Sequence, residues 1–542
     1  MDIRFAPVFV AILLPAASSF AQPVISSQSP VASAASYRTP GLPGSGVAQG
    51  SIFSIFGTGL GPNPWVQATT FPLPTSLGGS SVNVTIGGTT TPAILVLAYS
   101  TQINAILPST TPLGTGTVTV TYNNQTSAAA PIQVVSSSFA PFAYNQRGFG
   151  QAIATDTNYV ENTIIHVFHP NDYVFLWGTG LGAISGSDAE APPFGNLPVD
   201  ITVHIGNSTA ATSYQGRAPC CAGLDQIVFQ VPSGIEGCYV PVGVETGGIV
   251  NNVTTIAVAA SGDTCSDSIL GPALVNQLAG GQKVDFGYIR LESLNARVGY
   301  DEYIKEDYGM ATFSELDPAA AGNAQYGVSS GYCYAADFTY WNNESLSDLS
   351  PAQLDAGALA VTWQSTIPLT QWGPGLYDAE LMTGNQTLLW GGNPYVVAAA
   401  GGSAVGPFSV TDETVSGTVQ FSNLTYGQNV PRTSDLDIEW TGGNPALQSQ
   451  VTIGGFSAAG ADFTPIAFFE CVAPLSAGKF TIPRWILSGL PPSATISEGS
   501  YSYPLGWIWI GQYDQPTSFT AKGLDAGIIT DLFSSGVGLY FQ

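Results

Sequence analysis

Positive charge is scarce in this chain. Lys and Arg together number 12 among 542 residues, against 37 Asp and Glu, for a formal net charge of −25. A surface of that sign repels both the phosphate backbone of nucleic acid and anionic lipid headgroups, which disfavours both partners, and no nucleic acid is expected. Charge of either sign is scarce, at 9% of residues, and from Gln22 to Gly150 there is no Asp or Glu at all. With 44% hydrophobic residues, the composition is the reverse of a disordered chain, which is highly charged and poorly hydrophobic. Histidine is limited to His166, His169 and His204, leaving little material for imidazole metal centres or His-based acid–base chemistry. Long apolar runs are missing too. Beyond the N-terminus no stretch approaches the ~18 uninterrupted apolar residues of a membrane-spanning helix, so no membrane span is expected.

What is abundant is turn and strand material. Gly and Pro number 63 and 38, set among Thr, Ser, Val and aromatic residues, a mixture that points to all-β domains with many turns. The length suits roughly three or four domains. Met1 to Ala21 has the form of a secretory signal: Arg4 at the start, an apolar Val8–Pro15 core, and Ser19-Phe20-Ala21 as a small-residue cleavage site. No cysteine follows that site, so a lipid anchor is not expected. The mature chain is expected to be exported and soluble, secreted or held at the cell surface.

Six cysteines fit an oxidising compartment: Cys220, Cys221, Cys238, Cys265, Cys333 and Cys471. No Cys-x-x-Cys pair and no neighbouring histidine supports zinc, so disulfides are expected. The adjacent Cys220 and Cys221 should bond to two different partners, Cys238 and Cys265, in an order that the sequence leaves open. Cys333 would then pair with Cys471.

One stretch is written twice. Phe53-Ser54-Ile55-Phe56-Gly57-Thr58-Gly59-Leu60-Gly61 returns 121 residues later as Val174-Phe175-Leu176-Trp177-Gly178-Thr179-Gly180-Leu181-Gly182. Each copy is an apolar strand running into a glycine-dense turn. The order of later segments is kept as well: Ser81–Gly87 matches Asp200–Gly206, and Gln102–Pro108 matches Gln226–Pro232. Expected strands in the first copy are 51–56, 81–86, 93–98, 102–107, 117–122 and 132–135. Val82, Val84 and Ile86 alternate with Asn83 and Thr85 as in a half-buried strand. A period near 120 residues with six or seven strands is the size of an immunoglobulin-like sandwich.

The run Gly50–Thr58, the segment Pro72-Leu73-Pro74-Thr75-Ser76-Leu77-Gly78-Gly79 and Gln102-Ile103-Asn104 resemble a paralogous family of secreted acidobacterial proteins related to the IPT/TIG immunoglobulin-like domains. Trp177–Gly182 and Cys220-Cys221-Ala222-Gly223-Leu224-Asp225-Gln226-Ile227 continue the resemblance, which covers about residues 31–260. It implies tandem β-sandwiches and carries no catalytic residues. Asn104-Ala105-Ile106-Leu107 is less polar than that pattern. Glu439–Gly443 and Phe480–Leu487 resemble C-terminal regions that accompany such repeats.

The expected organisation is a signal peptide (1–21), a loose leader (22–49), two immunoglobulin-like repeats (50–138 and 139–260), and an acidic, Trp-rich β domain (261–542) with a lobe junction near 401–406. One short helix is expected within 268–278. Gly57-Thr58-Gly59-Leu60-Gly61 lacks the strand-to-helix setting of a phosphate loop, so it is read as a sandwich turn. His166 and His169, three apart in an extended run, would not share a face. No catalytic, cofactor-binding or metal-binding residues are assigned, and no cofactor is expected.

Two features could hold a ligand. Asp435, Asp437 and Glu439 alternate, so a strand places them on one face. There they could bind Ca²⁺ or serve as a glycosidase pair, but the simpler expectation is a solvated face opposite Leu436, Ile438 and Trp440. Asp301, Glu302, Glu306 and Asp307 form a similar acidic cluster. Eight of the ten tryptophans lie in the distal half: Trp341, Trp363, Trp372, Trp390, Trp440, Trp485, Trp507 and Trp509. Trp507 and Trp509 would share a strand face and could stack on sugar rings, although core packing is the ordinary role of large aromatics. The sequence therefore reads as a secreted, non-enzymatic, multidomain β-sandwich protein. Binding or adhesion at the cell surface or matrix is its expected work, with an extracellular polysaccharide or surface protein as partner. A carbohydrate-binding module is the first alternative, and a glycan-acting enzyme in the distal half is the second.

Overall fold

The computed structural model describes residues 22–27, 30–297, 299, 303–323, 327–337, 352–383, 386–387, 394–413, 418–444, 447, 449–498 and 501–542. The expected signal peptide lies outside them, as do Asp301, Glu302, Trp341 and Trp390. The fold is all-β, two tandem immunoglobulin-like sandwiches followed by a larger β-rich region. Among the described residues helix is confined to short pieces, including Pro272–Ala279 where one was expected.

In the first sandwich, Ile52–Thr58 pairs antiparallel with Gln102–Ile106, which pairs with Ile94–Ala98. The facing sheet is built on Ser80–Ile86 paired with Gly114–Tyr122, itself paired with Ala130–Val135. Burial alternates along Ser80–Ile86 because successive side chains point to opposite faces. Val82, Val84, Phe53, Ile55, Ile103 and Val118 fill the core between the layers. The second sandwich repeats the plan. Tyr173–Thr179 pairs with Asp225–Gln230, and Ile201–Ile205 pairs with Gly237–Thr246. Val174 and Leu176 occupy the core positions of Phe53 and Ile55.

The repeated glycines have the same cause in each copy. A Cβ on Gly57 would lie 2.0 Å from the Val24 carbonyl oxygen, and one on Gly178 would lie 2.3 Å from that of Ala140. In both copies a short flanking strand, Val24–Ile25 or Ala140–Pro141, crosses at this point. Two residues later Gly59 and Gly180 take φ of +65° and +114°, where a side chain is strained.

The leader is not loose. Val31–Ser33 pairs antiparallel with Phe53–Ile55, and Val47–Ala48 pairs parallel with Val134–Val135. Its residues are uncharged apart from Arg38, so burying them strands no other charge. Arg38 is itself buried, at 4% exposure. Its Nε donates to the Pro43 carbonyl at 2.6 Å and its Nη2 to the Gly489 carbonyl. Asp337 supplies the opposing charge, and its Oδ2 accepts from the Thr39 amide. The segment thus ties the first sandwich to the distal region.

That distal region is organised by a long sheet running Cys333–Asp337, Ile466–Pro474, Gln450–Ala458, Gly506–Tyr513, Ala526–Phe541, Val284–Arg297, Tyr303–Leu316, Leu376–Glu380, Thr370–Gly373. Val284–Arg297 and Ala526–Phe541 run parallel, joining the start of the region to its end. One face is mainly apolar, with Ser293, Asp307 and Asp531 as buried polar exceptions. Ile289, Leu291, Phe313 and Ile529 pack on a smaller sheet that contributes Val361, Tyr395 and Val397. Ile453, Phe469, Ile508 and Ile510 pack on Ile438, Trp440 and Trp485. Residues 401–406, expected as a lobe junction, are instead the loop between Pro394–Ala399 and Phe408–Glu413, which pair with each other. Glycine there serves a tight turn: Gly401 has φ +87°.

The two sandwiches meet over a buried ion pair. Arg217 and Asp225 pair directly, and Arg217 Nη2 also donates to the carbonyls of Gly50 at 2.7 Å and Gly182 at 2.6 Å. The disulfides correct one expectation. Cys238 bonds Cys265 and Cys333 bonds Cys471, but Cys220 bonds its neighbour Cys221. Cys220 and Cys221 lie in the turn between Thr212–Arg217 and Asp225–Gln230, while Cys238 and Cys265 are bonded to each other.

Candidate ligand-binding face

The opposite face of the long sheet is not apolar. Residues directly opposite one another on paired strands share a face, so the register fixes its membership. Asp378 opposes Met310, which opposes Arg290, which opposes Thr530. One step along, Tyr308 opposes Glu292, which aligns with Leu532 and then Tyr513. Further on, Trp509 aligns with Gly454 and Glu470, and Trp507 with Phe456 and Phe468. Along Val284–Arg297 the apolar residues Ile289 and Leu291 are buried, whereas Tyr288, Arg290 and Glu292 are half-buried. Aromatic rings and carboxylates therefore lie along one side of a rigid sheet.

At one edge stands Trp372, 74% exposed. Its Nε1 donates to Asp378 Oδ1 at 2.6 Å, and the Tyr308 hydroxyl donates to Asp378 Oδ2 at 2.6 Å. One carboxylate thus orients two aromatic side chains. Burial and the adjacent Asp378 charge push the Tyr308 phenol well above its ordinary 10, so it remains a donor.

Toward the middle the face borders a partly open cavity of about 480 Å³, whose opposite wall includes Gly237, Cys238 and Tyr239 of the second sandwich. Tyr288, Thr452, Glu470, Tyr513 and Thr530 come from the sheet, and the Cys238–Cys265 disulfide forms part of the opposing wall. Burial pushes the Glu470 carboxyl up, with Arg290 opposing the rise and Glu292 adding to it. Arg290 pairs with Glu292, and its guanidinium lies 5.5 Å from the centre of the Tyr513 ring, a cation–π distance. The Tyr288 hydroxyl lies 3.0 Å from Thr530 Oγ1.

The tryptophans singled out in the sequence do share this face, but they pack. Trp509 is half-buried and occupies the space that a Cβ on Gly454 would need. Trp507 stacks on Phe456 with ring centres 6.4 Å apart and lines a small hollow of about 220 Å³ with Tyr426 and Phe463. Asp435, Asp437 and Glu439 lie elsewhere, on the exposed side of Leu436–Gly442, with Ile438 and Trp440 buried opposite. Asp435 Oδ1 accepts from the Arg484 amide at 2.7 Å, Asp437 Oδ1 accepts from the Thr481 hydroxyl at 2.6 Å, and Glu439 lies across from Lys479. They form a solvated strand face rather than a convergent pair. Glu306 is exposed, while the neighbouring Asp307 is buried and accepts from Ser293.

Nor do the histidines converge. His169 Nδ1 lies 3.3 Å from Asp172 and its Nε2 lies 2.9 Å from the Gly262 carbonyl. His166 lies 3.9 Å from Asp156. His204 stacks on Trp485 at 5.0 Å and contacts Glu245 at 2.8 Å, where the second sandwich meets the distal region. Among the described residues no three His, Cys, Asp or Glu cluster as metal ligands, and no helix is long and apolar enough to cross a membrane.

Sequence inspection missed two features. Trp372 was one tryptophan among eight, although its polar surroundings, Thr370-Gln371 before it and Gly373-Pro374-Gly375 after it, signal an exposed hairpin. Gly327-Val328-Ser329-Ser330-Gly331 has the Gly-x-Ser-x-Gly spacing of a hydrolase nucleophile. It is a loop before the Cys333–Asp337 strand rather than a strand-to-helix turn, and Ser329 Oγ accepts from the Tyr239 amide at 2.9 Å.

No family model matches the chain, and no curated protein matches it. Among solved structures, a fragment of the S-layer protein SbsC, domains 5–6, is 14% identical, covering 44% of this chain and 100% of that one, with a TM-score of 0.17. An ICAM-5 D1–D4 ectodomain fragment is 10% identical over 92% of this chain and 96% of that one, with a TM-score of 0.13. Sidekick-1 immunoglobulin domains 1–5 are 10% identical over 92% and 78%, with a TM-score of 0.12. Values this low have no bearing on fold or role.

Proposed function

We propose that this chain is a secreted, non-enzymatic binding protein of the cell surface or extracellular matrix, and that its ligand is a polysaccharide. The two sandwiches serve as a mount, and the aromatic and acidic face of the distal sheet serves as the binding surface. The observation that carries this reading is Trp372, a large ring left 74% exposed yet held by Asp378 beside Tyr308. An exposed tryptophan locked in one orientation costs little further order when it stacks on an apolar sugar face. Asp378 and Glu380, alternate residues of one strand, offer acceptors to sugar hydroxyls. The disulfides accord with an oxidising, exported setting.

The test is to mix the full chain with cellulose, chitin and insoluble xylan, with bare beads as control, and assay both retention and new reducing ends. Retention on at least one polysaccharide without reducing ends is the expected result. Release of reducing ends would overturn the non-enzymatic assignment. Retention on none would overturn polysaccharide as the ligand and leave a surface protein as the partner.

A further inference from the structure

We infer that the cavity between the second sandwich and the long sheet is a second ligand site, one that takes the terminal sugars of a neutral saccharide. The inference rests on the polysaccharide reading above and extends it to a site remote from Trp372. From the strand of Asp378 to that of Thr530 is three inter-strand steps on the same face, roughly 14 Å at the usual spacing. A glycan lying across Trp372 could therefore reach the cavity with its end.

The cavity, at about 480 Å³, falls in the size range of small-molecule sites. Its chemistry selects among ligands. Glu470 lines it, partly exposed, and has no hydrogen-bond partner among the described residues, nor does the Tyr513 hydroxyl. Gln450, Gln515 and Thr452 add amides and a hydroxyl that both donate and accept. Asp267 also lines the space, its Oδ1 already accepting from the amides of Ile269 and Leu270. Two carboxylates with no Lys, Arg or His in the lining disfavour an anion. A cation gains less here, because Arg290 already acts on Glu470. A neutral polyol remains: its hydroxyls can donate to Glu470 and accept from Tyr513, and its apolar face can lie on the Tyr288 and Tyr513 rings.

The site is tested on the full chain by isothermal titration calorimetry with cellobiose, chitobiose, xylobiose and the anionic digalacturonate. Three variants accompany the wild type. Glu470→Gln removes the charge while keeping the shape, Ser330→Trp fills the exposed rim of the cavity, and Trp372→Ala removes the remote platform. Thermal melts confirm that each is folded. The expected result is binding of at least one neutral disaccharide and not of digalacturonate. Glu470→Gln should weaken it about tenfold or more and Ser330→Trp should abolish it; Trp372→Ala serves to separate this binding from any at the platform. No disaccharide binding by the wild type, or binding indifferent to both cavity variants, would overturn the inference. Disaccharide binding lost only in Trp372→Ala would overturn it while sustaining the platform. Cavity-dependent disaccharide binding without retention on insoluble polysaccharide would sustain the cavity and overturn the platform.

Discussion

Arg38 offers the sharpest test of how the parts are joined, because its removal leaves three groups in want of a partner. In Arg38→Met the carbonyls of Pro43 and Gly489 lose their donors. Asp337, buried and already pushed up by desolvation, loses the positive charge that opposes the rise. Leaving two buried carbonyls without donors, at about 1–3 kcal/mol each, and Asp337 without the opposing charge costs about 3–5 kcal/mol in all. For a unit of this size each kcal/mol lowers the melting temperature by about 2–4 °C, so the main transition should fall by roughly 6–20 °C. Differential scanning calorimetry of wild type, Arg38→Met and Arg38→Met/Asp337→Asn would measure this. The double variant removes the orphaned carboxylate charge and should melt above the single variant. A single variant within about 2 °C of wild type, or a double variant no better than the single, would refute the claim that this segment is a structural tie.

Three further outcomes follow from the same contacts. Gly57→Ala and Gly178→Ala each drive a methyl into a flanking strand's carbonyl oxygen and should each destabilise their own sandwich by about 1–3 kcal/mol in urea denaturation. Replacing Cys333 and Cys471 with Ala opens a link across 138 residues and should cost about 2–5 kcal/mol; replacing the adjacent Cys220 and Cys221 with Ser should cost far less, since their loop restricts almost nothing. The junction at His204 should also be acid-sensitive. Desolvation lowers the His204 pKa below 6.5, with Glu245 opposing the fall, so the unfolded chain takes up a proton there before the folded one does. Stability from this site is complete above the unfolded value and declines as pH falls through and below 6.5. Burial raises Glu245, but His204 and Arg484 outweigh it and hold the group below its ordinary value, so its loss comes further into acid. His204→Gln should flatten the decline between pH 7 and 5.5 in thermal melts, and an unchanged slope would contradict the assignment.

The sandwiches were legible because the repeat, the alternation at Val82, Val84 and Ile86, and the Gly/Pro turns all act locally. The expected strands 81–86 and 102–107 appear as Ser80–Ile86 and Gln102–Ile106. The leader was misjudged because its order comes from elsewhere: Val31–Ser33 needs Phe53–Ile55 as its partner, and Arg38 needs Asp337 and Gly489. Adjacent cysteines were expected to seek distant partners, since spacing says nothing of the turn that isolates them. The binding face was the least visible part. Asp378, Tyr308, Arg290, Thr530 and Tyr513 share it only through strand register, and the central pairing is parallel between segments more than 200 residues apart, which no local pattern encodes. Exposure separates Trp372 from Trp440 and Trp485, and exposure is set by what packs above a ring.

The most direct measurement is affinity electrophoresis of wild type and Trp372→Ala through native gels containing soluble cellulose, xylan or glycol-chitin derivatives, with a polysaccharide-free gel as reference. Trp372 and Asp378 lie at the sheet edge, so the substitution leaves the core intact and both proteins should migrate alike without polysaccharide. The account predicts that at least one polysaccharide retards the wild type and that Trp372→Ala abolishes most of the retardation. Equal retardation of the two proteins, or none for either, would contradict it.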